Sequence, residues 1–442
     1  MPHFRALRWV VLLWSVSSAV AAQDTHHQTL AVGDRALGMG GAFTGLATDQ
    51  AAAWYNPAGL AFLEGDTLSG SLLLHAFEDI RLAGGELRLG QKRRSNFPLF
   101  ATGVLRVGRD REEGRHAFGV IVLRPLQVTR RFELAVRGPG GDPSTLFVDT
   151  TEHQTLFGFM WASRLTQRFA IGASLMTTIR RFEHRESVIA VMNGAADTSI
   201  RSGLTEVVSN HLVLRLGALF RNGRFRFGLL VQPQGLPMRQ EGHVDEHRVR
   251  NRADGNEAFF GEVSPAARVV VPWIVRMGAS YQFGRDVTIS GDLQFVAPIG
   301  RGSFVNAAYP GEEADEEPAV GSFVDLETKR RPALNGAIGF EWRASRGVLF
   351  RFGGFTDLST ARQIPARSDR YQVPNIPSIG GSGSIGLDLG EQDINIGLAG
   401  VGGRGEALML DPRQGIDDPG YRRVEAKRRV IYFFVTGSLT GE

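Results

Sequence analysis

Polar and apolar residues alternate along most of this chain with a period of two. In residues 167–180, Phe169, Ile171, Ala173, Leu175, Thr177 and Ile179 fall on one face, and Arg168, Ser174, Thr178 and Arg180 on the other. In residues 286–296, Val287, Ile289, Leu293 and Phe295 oppose Thr288, Ser290, Asp292 and Gln294. In residues 333–343, Leu334, Ile338, Phe340 and Trp342 oppose Asn335, Glu341 and Arg343, and shorter versions occur at 223–232, 347–356, 384–390 and 393–400. Successive side chains of an extended strand point to opposite faces, so each segment reads as a strand with one apolar face. Several run past the roughly five or six residues usual in soluble sheets. They approach the roughly 9–11 residues that a tilted barrel strand needs to cross hydrocarbon.

The punctuation between these segments points to consecutive antiparallel strands. Asn222-Gly223 is a two-residue hairpin signal between strands ending near Phe220 and starting near Arg224. Gly284-Arg285-Asp286, Ser345-Arg346-Gly347 and Gly390-Glu391-Gln392-Asp393 do similar work. Longer polar inserts at 137–148, 185–204, 233–264, 299–325, 358–377 and 402–422 read as loops. Short turns at one end and long loops at the other are the asymmetry of bacterial membrane barrels. About 13 to 16 strands are expected between Asp66 and Leu439. The last of them, Val430–Leu439, is strongly aromatic, although the chain ends on Thr440-Gly441-Glu442 rather than on an aromatic residue.

The N-terminus changes the picture by adding export. Arg5 and Arg8 precede the apolar run Trp9–Trp14, and Ala19, Ala21 and Ala22 close the segment. That order is a basic region, an apolar region and a small-residue cleavage site, so residues 1–22 read as a signal peptide. The run is too short for a spanning helix, which needs roughly 20 apolar residues. No later segment has 18 consecutive apolar residues, which leaves a closed barrel as the way to cross a bilayer with every backbone group paired. A mean hydropathy of -0.10 fits strands with one polar face. The chain has no cysteine, which removes thiol nucleophiles and cysteine-held metals. The net charge of +4 is spread along the chain, so nucleic acid is not an expected partner.

Residues 33–63 read GDRALGMGGAFTGLATDQAAAWYNPAGLAFL. Over Arg35–Asp49 and Trp54–Gly59 this segment resembles the N-terminal hatch of the FadL/TodX outer-membrane transport family. Pro272–Gln294 resembles that family's late strand pair. Arg351–Ile379, with Phe-Gly-Gly-Phe-Thr-Asp, Pro365 and Ile376-Pro377, is a weaker match. A related hatch-like segment occurs in PorV-type barrels, which serve protein secretion. The FadL/TodX resemblance implies an all-β fold: a transmembrane antiparallel barrel of about fourteen strands with an N-terminal plug in the lumen. It implies a hatch over 23–64 and a barrel over 65–442, in the outer membrane of a bacterial cell. It also implies passive uptake of hydrophobic small molecules, such as long-chain fatty acids or hydrocarbons, which leave through a gap in the wall. A PorV-like scaffold for secreted proteins is the alternative, and a water-filled porin a third.

The hatch can also be read from its residues. Gly38, Gly40 and Gly41 permit positive φ and close approach to a wall, and movement is expected near Gly33–Gly45. Asp49 can cap a short helix over Gln50–Tyr55, and Asn56-Pro57 can end it. A carboxylate ligand would favour lumen-facing arginines. Alternation places Arg180, Arg215, Arg276, Arg343 and Arg351 on the polar face, where they also have every reason to pair with neighbouring acids. Gly381–Gly386 matches G-x-G-x-x-G but runs into a strand, so it is not a dinucleotide loop. The acidic run at 312–317 reads as a solvated loop rather than a divalent-ion site, and His26-His27 as a mobile polar pair. No catalytic constellation stands out, and no enzyme, cofactor or metal is expected. The expected partners are a hydrophobic ligand and outer-membrane lipid and lipopolysaccharide, with the chain itself a monomer.

Overall fold

A computed structural model describes residue 26 and residues 32–63, 65–84, 87–96, 100–107, 116–137, 143–192, 197–252, 255–300, 303–305, 326–327, 329–368, 372–410 and 421–441. The export segment and the acidic run at 312–317 lie outside the described residues.

The strands form one closed antiparallel barrel of fourteen. In chain order they begin with β1 (Asp66–Gly84), the two-part β2 (Leu87–Asn96 and Phe100–Val107), β3 (His116–Arg137), β4 (Pro143–Arg164), β5 (Phe169–Met192) and β6 (Asp197–Asn222). The two-part strands β7 (Phe225–Gln232 and Leu236–Arg252) and β8 (Gly255–Val263 and Ile274–Phe283) follow, then β9 (Val287–Val296) and β10 (Ala333–Ser345). The last four are β11 (Val348–Asp357), β12 (Ser378–Asp388), β13 (Gln392–Leu410) and β14 (Tyr421–Gly441). β1 and β14 close the ring, from Asp66 opposite Gly441 to Ala83 opposite Glu425. Both chain ends of the barrel therefore lie at one rim, called here the lower. The tight turns lie there too, with Gly223, Gly284 and Gly390 all at positive φ, the conformation such turns demand.

The wall is apolar outside and polar inside. Phe159 is 71 % exposed and Ile338 63 %, while Asn335, Ser209 and His211 are fully buried. Water-soluble proteins bury the former and expose the latter. A wall facing hydrocarbon does the reverse. The alternation read from 167–180 holds in β5, where Ala170, Gly172, Ser174, Met176, Thr178 and Arg180 are the buried set.

Four of the inserts expected as loops are largely strand: 137–148 and 402–422 lose 143–148, 402–410 and 421–422 to β4, β13 and β14, and two others are sheet over most of their length. β5 continues to Met192 and pairs with β6 as far as Asp197, so most of 185–204 is sheet. Within 233–264, Leu236–Arg252 pairs with both β6 and Gly255–Val263. These extensions carry polar residues on both faces, so they lack the one-sided pattern that marks a strand in hydrocarbon. Their backbone pairing alone keeps them extended. The result is a wall much taller over β3–β8 than over β9–β12.

The wall is interrupted on one side. The lower part of β2 pairs with β1 at Thr67–Gly70 and with β3 at His116–Leu123. Its upper part pairs with β1 at His75–Gly84. Among the described residues no pairing joins Leu87–Asn96 to β3, whose upper half pairs with β4 alone. Hydrogen bonding between neighbours is thus broken in the upper half of the wall, between β2 and β3.

Candidate ligand path and its closures

Residues 32–63 fold into two short helices, α1 (Asp34–Gly38) and α2 (Ala52–Tyr55), and a 3-10 turn at Pro57–Phe62. Gly40 and Gly41 both have positive φ and turn the chain after α1. The helix begins at Ala52 rather than Gln50, and its N-cap is Ala51, with no side-chain cap bond, rather than the expected Asp49. Asp49 instead accepts from Ala51 N at 2.7 Å in the turn that leads into it. Asn56 is extended and ends α2; Pro57 then opens the 3-10 turn. The Asn56 side chain accepts from Ala58 N at 3.2 Å and donates to Thr44 O at 3.1 Å and to Ala218 O of β6 at 2.9 Å.

This segment touches strands around the ring, backbone against backbone. Gly40 lies against Gly353 and Gly354 of β11, and Gly45 against Gly278 of β8. Thr44 lies on Gly228 of β7, Asn56 on Gly217 of β6, and Pro57 and Ala58 on Gly172 of β5. A Cβ at Gly353, Gly278, Gly228, Gly217 or Gly172 would overlap the segment, whereas one at Gly354 would point away from it. The wall glycines were missed in the sequence. Their signal was a glycine at a mid-strand position on the polar face, where nothing else explains the loss of a side chain.

Charge fixes the same contact. The Arg35 guanidinium donates twice to the Glu341 carboxylate of β10, at 2.7 and 2.5 Å, and once to Thr48 Oγ1 at 2.5 Å. Arg351 donates to Glu341 at 2.7 Å and to Asn395 at 3.0 Å, and Asn395 donates to Asp34 O at 2.6 Å. Asp292 of β9 accepts from the backbone of Phe43 at 3.1 Å and Thr44 at 2.8 Å. Ser69 of β1 donates to Asp34 at 3.2 Å. Burial first, and then the Asp49 charge, raise the Asp34 carboxyl from 3.8 to about 7. Burial, opposed by Arg35, raises Asp49 to about 6.

The five candidate arginines part company here. Arg351 is held in the Glu341 knot. Arg215 donates to Gln232 Oε1 at 2.8 Å and to Trp54 O at 2.8 Å, with its guanidinium 3.7 Å over the Trp54 ring. Arg276 donates to Gln294 and lies 5.1 Å from the Tyr55 ring centre. These two are buried beside the segment, and among the described residues neither has a carboxylate in salt-bridge range, although the Asp292 carboxylate lies within the field of Arg276. Arg180, higher in the lumen, sits 3.5 Å from Glu152. Arg343 is at the lower rim beside Asp388 at 3.3 Å and is apart from the others. The residues expected to matter in the segment, Gly33, Gly38, Gly40, Gly41, Asn56 and Pro57, all lie in its contacts or turns.

Above the segment the lumen is crossed a second time. Tyr421 of β14 donates to Glu186 of β5 at 2.7 Å, and Glu186 is 3.1 Å from His184. Around them Leu146, Phe182, Val207, Val244, Ile364 and Leu408 form one apolar cluster drawn from several sides of the barrel. His26, expected to be mobile, lies 3.1 Å from Asp357 at the top of β11; His27 is outside the described residues. Gly381–Gly386 lies within β12, as expected of a sequence that is no dinucleotide loop.

No protein-family model matches the chain, and no curated protein matches it. Solved structures do, over nearly its whole length. A Pseudomonas aeruginosa FadL homologue is 12 % identical with a TM-score of 0.66, covering 94 % of this chain and 99 % of that one. The Ralstonia pickettii toluene transporter TbuX is 17 % identical with a TM-score of 0.58, covering 93 % and 99 %. The Pseudomonas putida toluene transporter TodX is 14 % identical with a TM-score of 0.56, covering 96 % and 100 %. At these identities the likeness is one of fold.

Proposed function

We propose that this protein is an outer-membrane channel for passive uptake of hydrophobic small molecules. One observation carries the reading: the vertical path is obstructed, while the wall beside it is unpaired between β2 and β3. A solute that needs water has no straight passage here. An apolar one can leave sideways into hydrocarbon without being rehydrated, at no cost beyond its concentration gradient. Residues 23–64 act as the hatch, after removal of residues 1–22 as an export signal, and 65–442 form the barrel. The ligand is captured among the tall strands at the outer end, rests in the lumen beside the hatch and leaves through the wall. Movement within 33–45 controls that last step. Arg215 and Arg276, buried and with no salt bridge among the described residues, are the groups best suited to meet an anionic head, Arg215 the more so because Asp292 shares the field of Arg276. They make fatty acids a fitting ligand class, beside the toluene named for two barrels of similar fold.

The decisive experiment is mass spectrometry of whatever is extracted from the barrel, purified as a monomer in a detergent unlike a fatty acid. A stoichiometric hydrocarbon or fatty acid is expected. An empty lumen with a stoichiometric protein partner would overturn the reading in favour of a secretion scaffold. Deletion of residues 23–45 supplies the second test. Undiminished uptake through a correctly inserted deletion barrel would remove the hatch from the mechanism.

A further inference from the structure

The outer surface of the barrel carries a cleft of about 520 Å³ where β12, β13 and β14 meet, lined among others by Leu358, Ile379, Gly402, Arg404, Lys427 and Arg429. Its height follows from strand register. Just below it, Gly354, Gly381, Gly400 and Ile431 lie side by side on four strands. Below those, Phe352 and Leu398 are more than half exposed. At the cleft itself Gly402 lies opposite Arg429, and one step higher Arg404 lies opposite Lys427. The outward face thus changes from apolar to charged within two residues. Charge on the lipid face is costly at mid-membrane and nearly free at the interface, so the cleft sits at the upper, outer-leaflet headgroup level.

The cations there are short of anions. The guanidinium groups of Arg404 and Arg429 form no hydrogen bond or ion pair among the described residues. Asp79 is opposite Arg429 on β1, but it is held by Arg81 at 2.7 Å. Among the described residues Lys427 is paired with Glu425 alone, at 3.0 Å, and Glu406 is 3.4 Å from Arg423. Like charges directly opposite on neighbouring strands repel, so Arg404 and Lys427 gain from an anion placed between them. The floor below is open: a Cβ at Gly400 or Gly402 would meet nothing within 4 Å. Internal packing therefore gives no reason for glycine at these mid-strand positions, where it weakens a sheet.

We infer that this cleft binds lipopolysaccharide, with a lipid A phosphate between Arg404, Lys427 and Arg429 and an acyl chain along the Gly354–Gly381–Gly400 floor. The inference rests on the outer-membrane reading above but concerns the outside of the wall, away from the ligand path. A phosphate supplies the missing charge, and an acyl chain fills the groove that the glycines leave.

The test titrates the delipidated, folded barrel with lipid A and reads bound lipid by native mass spectrometry. Each interfacial cation contributes roughly a fivefold gain toward an anionic headgroup, so Arg404→Gln/Arg429→Gln should weaken binding about thirtyfold. Gly402→Leu, which fills the floor and leaves every charge in place, should also weaken it. Variant binding within twofold of the parent, or equal binding of phosphatidylglycerol, would overturn the proposal. Lumen ligand is read in the same spectra. Its absence from the parent protein would count against uptake and leave the lipid A result standing.

Discussion

Glu341 is the point at which the N-terminal segment is held most strongly, so Glu341→Gln is the most informative substitution. The carboxylate accepts three charge-assisted bonds, two from Arg35 at 2.7 and 2.5 Å and one from Arg351 at 2.7 Å. The amide keeps the shape and removes the charge, which leaves two buried guanidinium groups with only the more distant Asp49 and Asp393 carboxylates as counter-charge. Removing one partner of a buried pair costs about 3–5 kcal/mol. The undocked population of residues 33–48 should therefore rise by about two to three and a half orders of magnitude. Asp292 and the wall glycines still favour docking, so the barrel itself should stay folded. Hydrogen exchange of the 35–48 amides reads the opening free energy directly, and conductance across a planar bilayer reads its consequence. The double variant Glu341→Gln/Arg35→Gln removes one stranded cation and should recover part of the protection. The argument fails if exchange and conductance of Glu341→Gln match those of the parent protein. It also fails if the barrel loses its heat-modifiable folded form, since Glu341 would then hold the wall and not the segment.

Docking should also depend on pH. With Asp34 raised to about 7 and Asp49 to about 6, the docked form binds more protons than the undocked one. Docking is then strongest at about pH 4 and weakens as pH rises toward about 7, by an amount on the order of a few kcal/mol; below about pH 4 the Glu341 carboxylate that holds Arg35 begins to lose its charge and docking weakens again. Spin-label distances from the segment to the wall, taken at pH 4.5, 6 and 8, test this, and equal or tighter docking at pH 8 would refute it. Gly353→Leu should eject Met39 and Gly40, since overpacking costs at least about 1–3 kcal/mol, whereas the outward Gly291→Leu should leave the segment protected from protease. Tyr421→Phe strips a donor from buried Glu186 at a cost of about 1.5–3 kcal/mol. It should speed exchange in the upper strands of β5 and β14 while the lower barrel is unchanged.

The sequence made the barrel legible wherever one strand face met hydrocarbon, as at 167–180 and 286–296, because burial in lipid forces strict alternation. It misled at 185–204 and 233–264, and in the strand parts of 137–148 and 402–422, because strands above the hydrocarbon face water outside and a polar lumen inside. For the site, the turns at Gly40 and Gly41 could be read, being local, and so could a backbone bond to Asp49, though in the turn before the helix and not as its cap. Arg351 could be placed on the inner face but not assigned to Glu341 and Asn395, partners 10 and 44 residues away. Register between strands decides such pairings, and a single chain does not display it. The break between β2 and β3 escaped notice for the same reason, since an absent pairing leaves no pattern in either strand.

The seam has a consequence for biogenesis. Asp34 is held by Ser69 on β1 and by Asn395 on β13, one strand from each side of the β1–β14 junction. β1 and β14 come from opposite ends of the chain and meet only when the cylinder shuts. Until then Asp34 cannot reach both Ser69 and Asn395, and the segment rests on Glu341, Asp292 and the wall glycines alone. Full seating of the N-terminal residues thus reports completion of the cylinder. An assembly stalled before its final strand would leave that end loosely held at the lower rim, open to proteolysis as a mark of unfinished product.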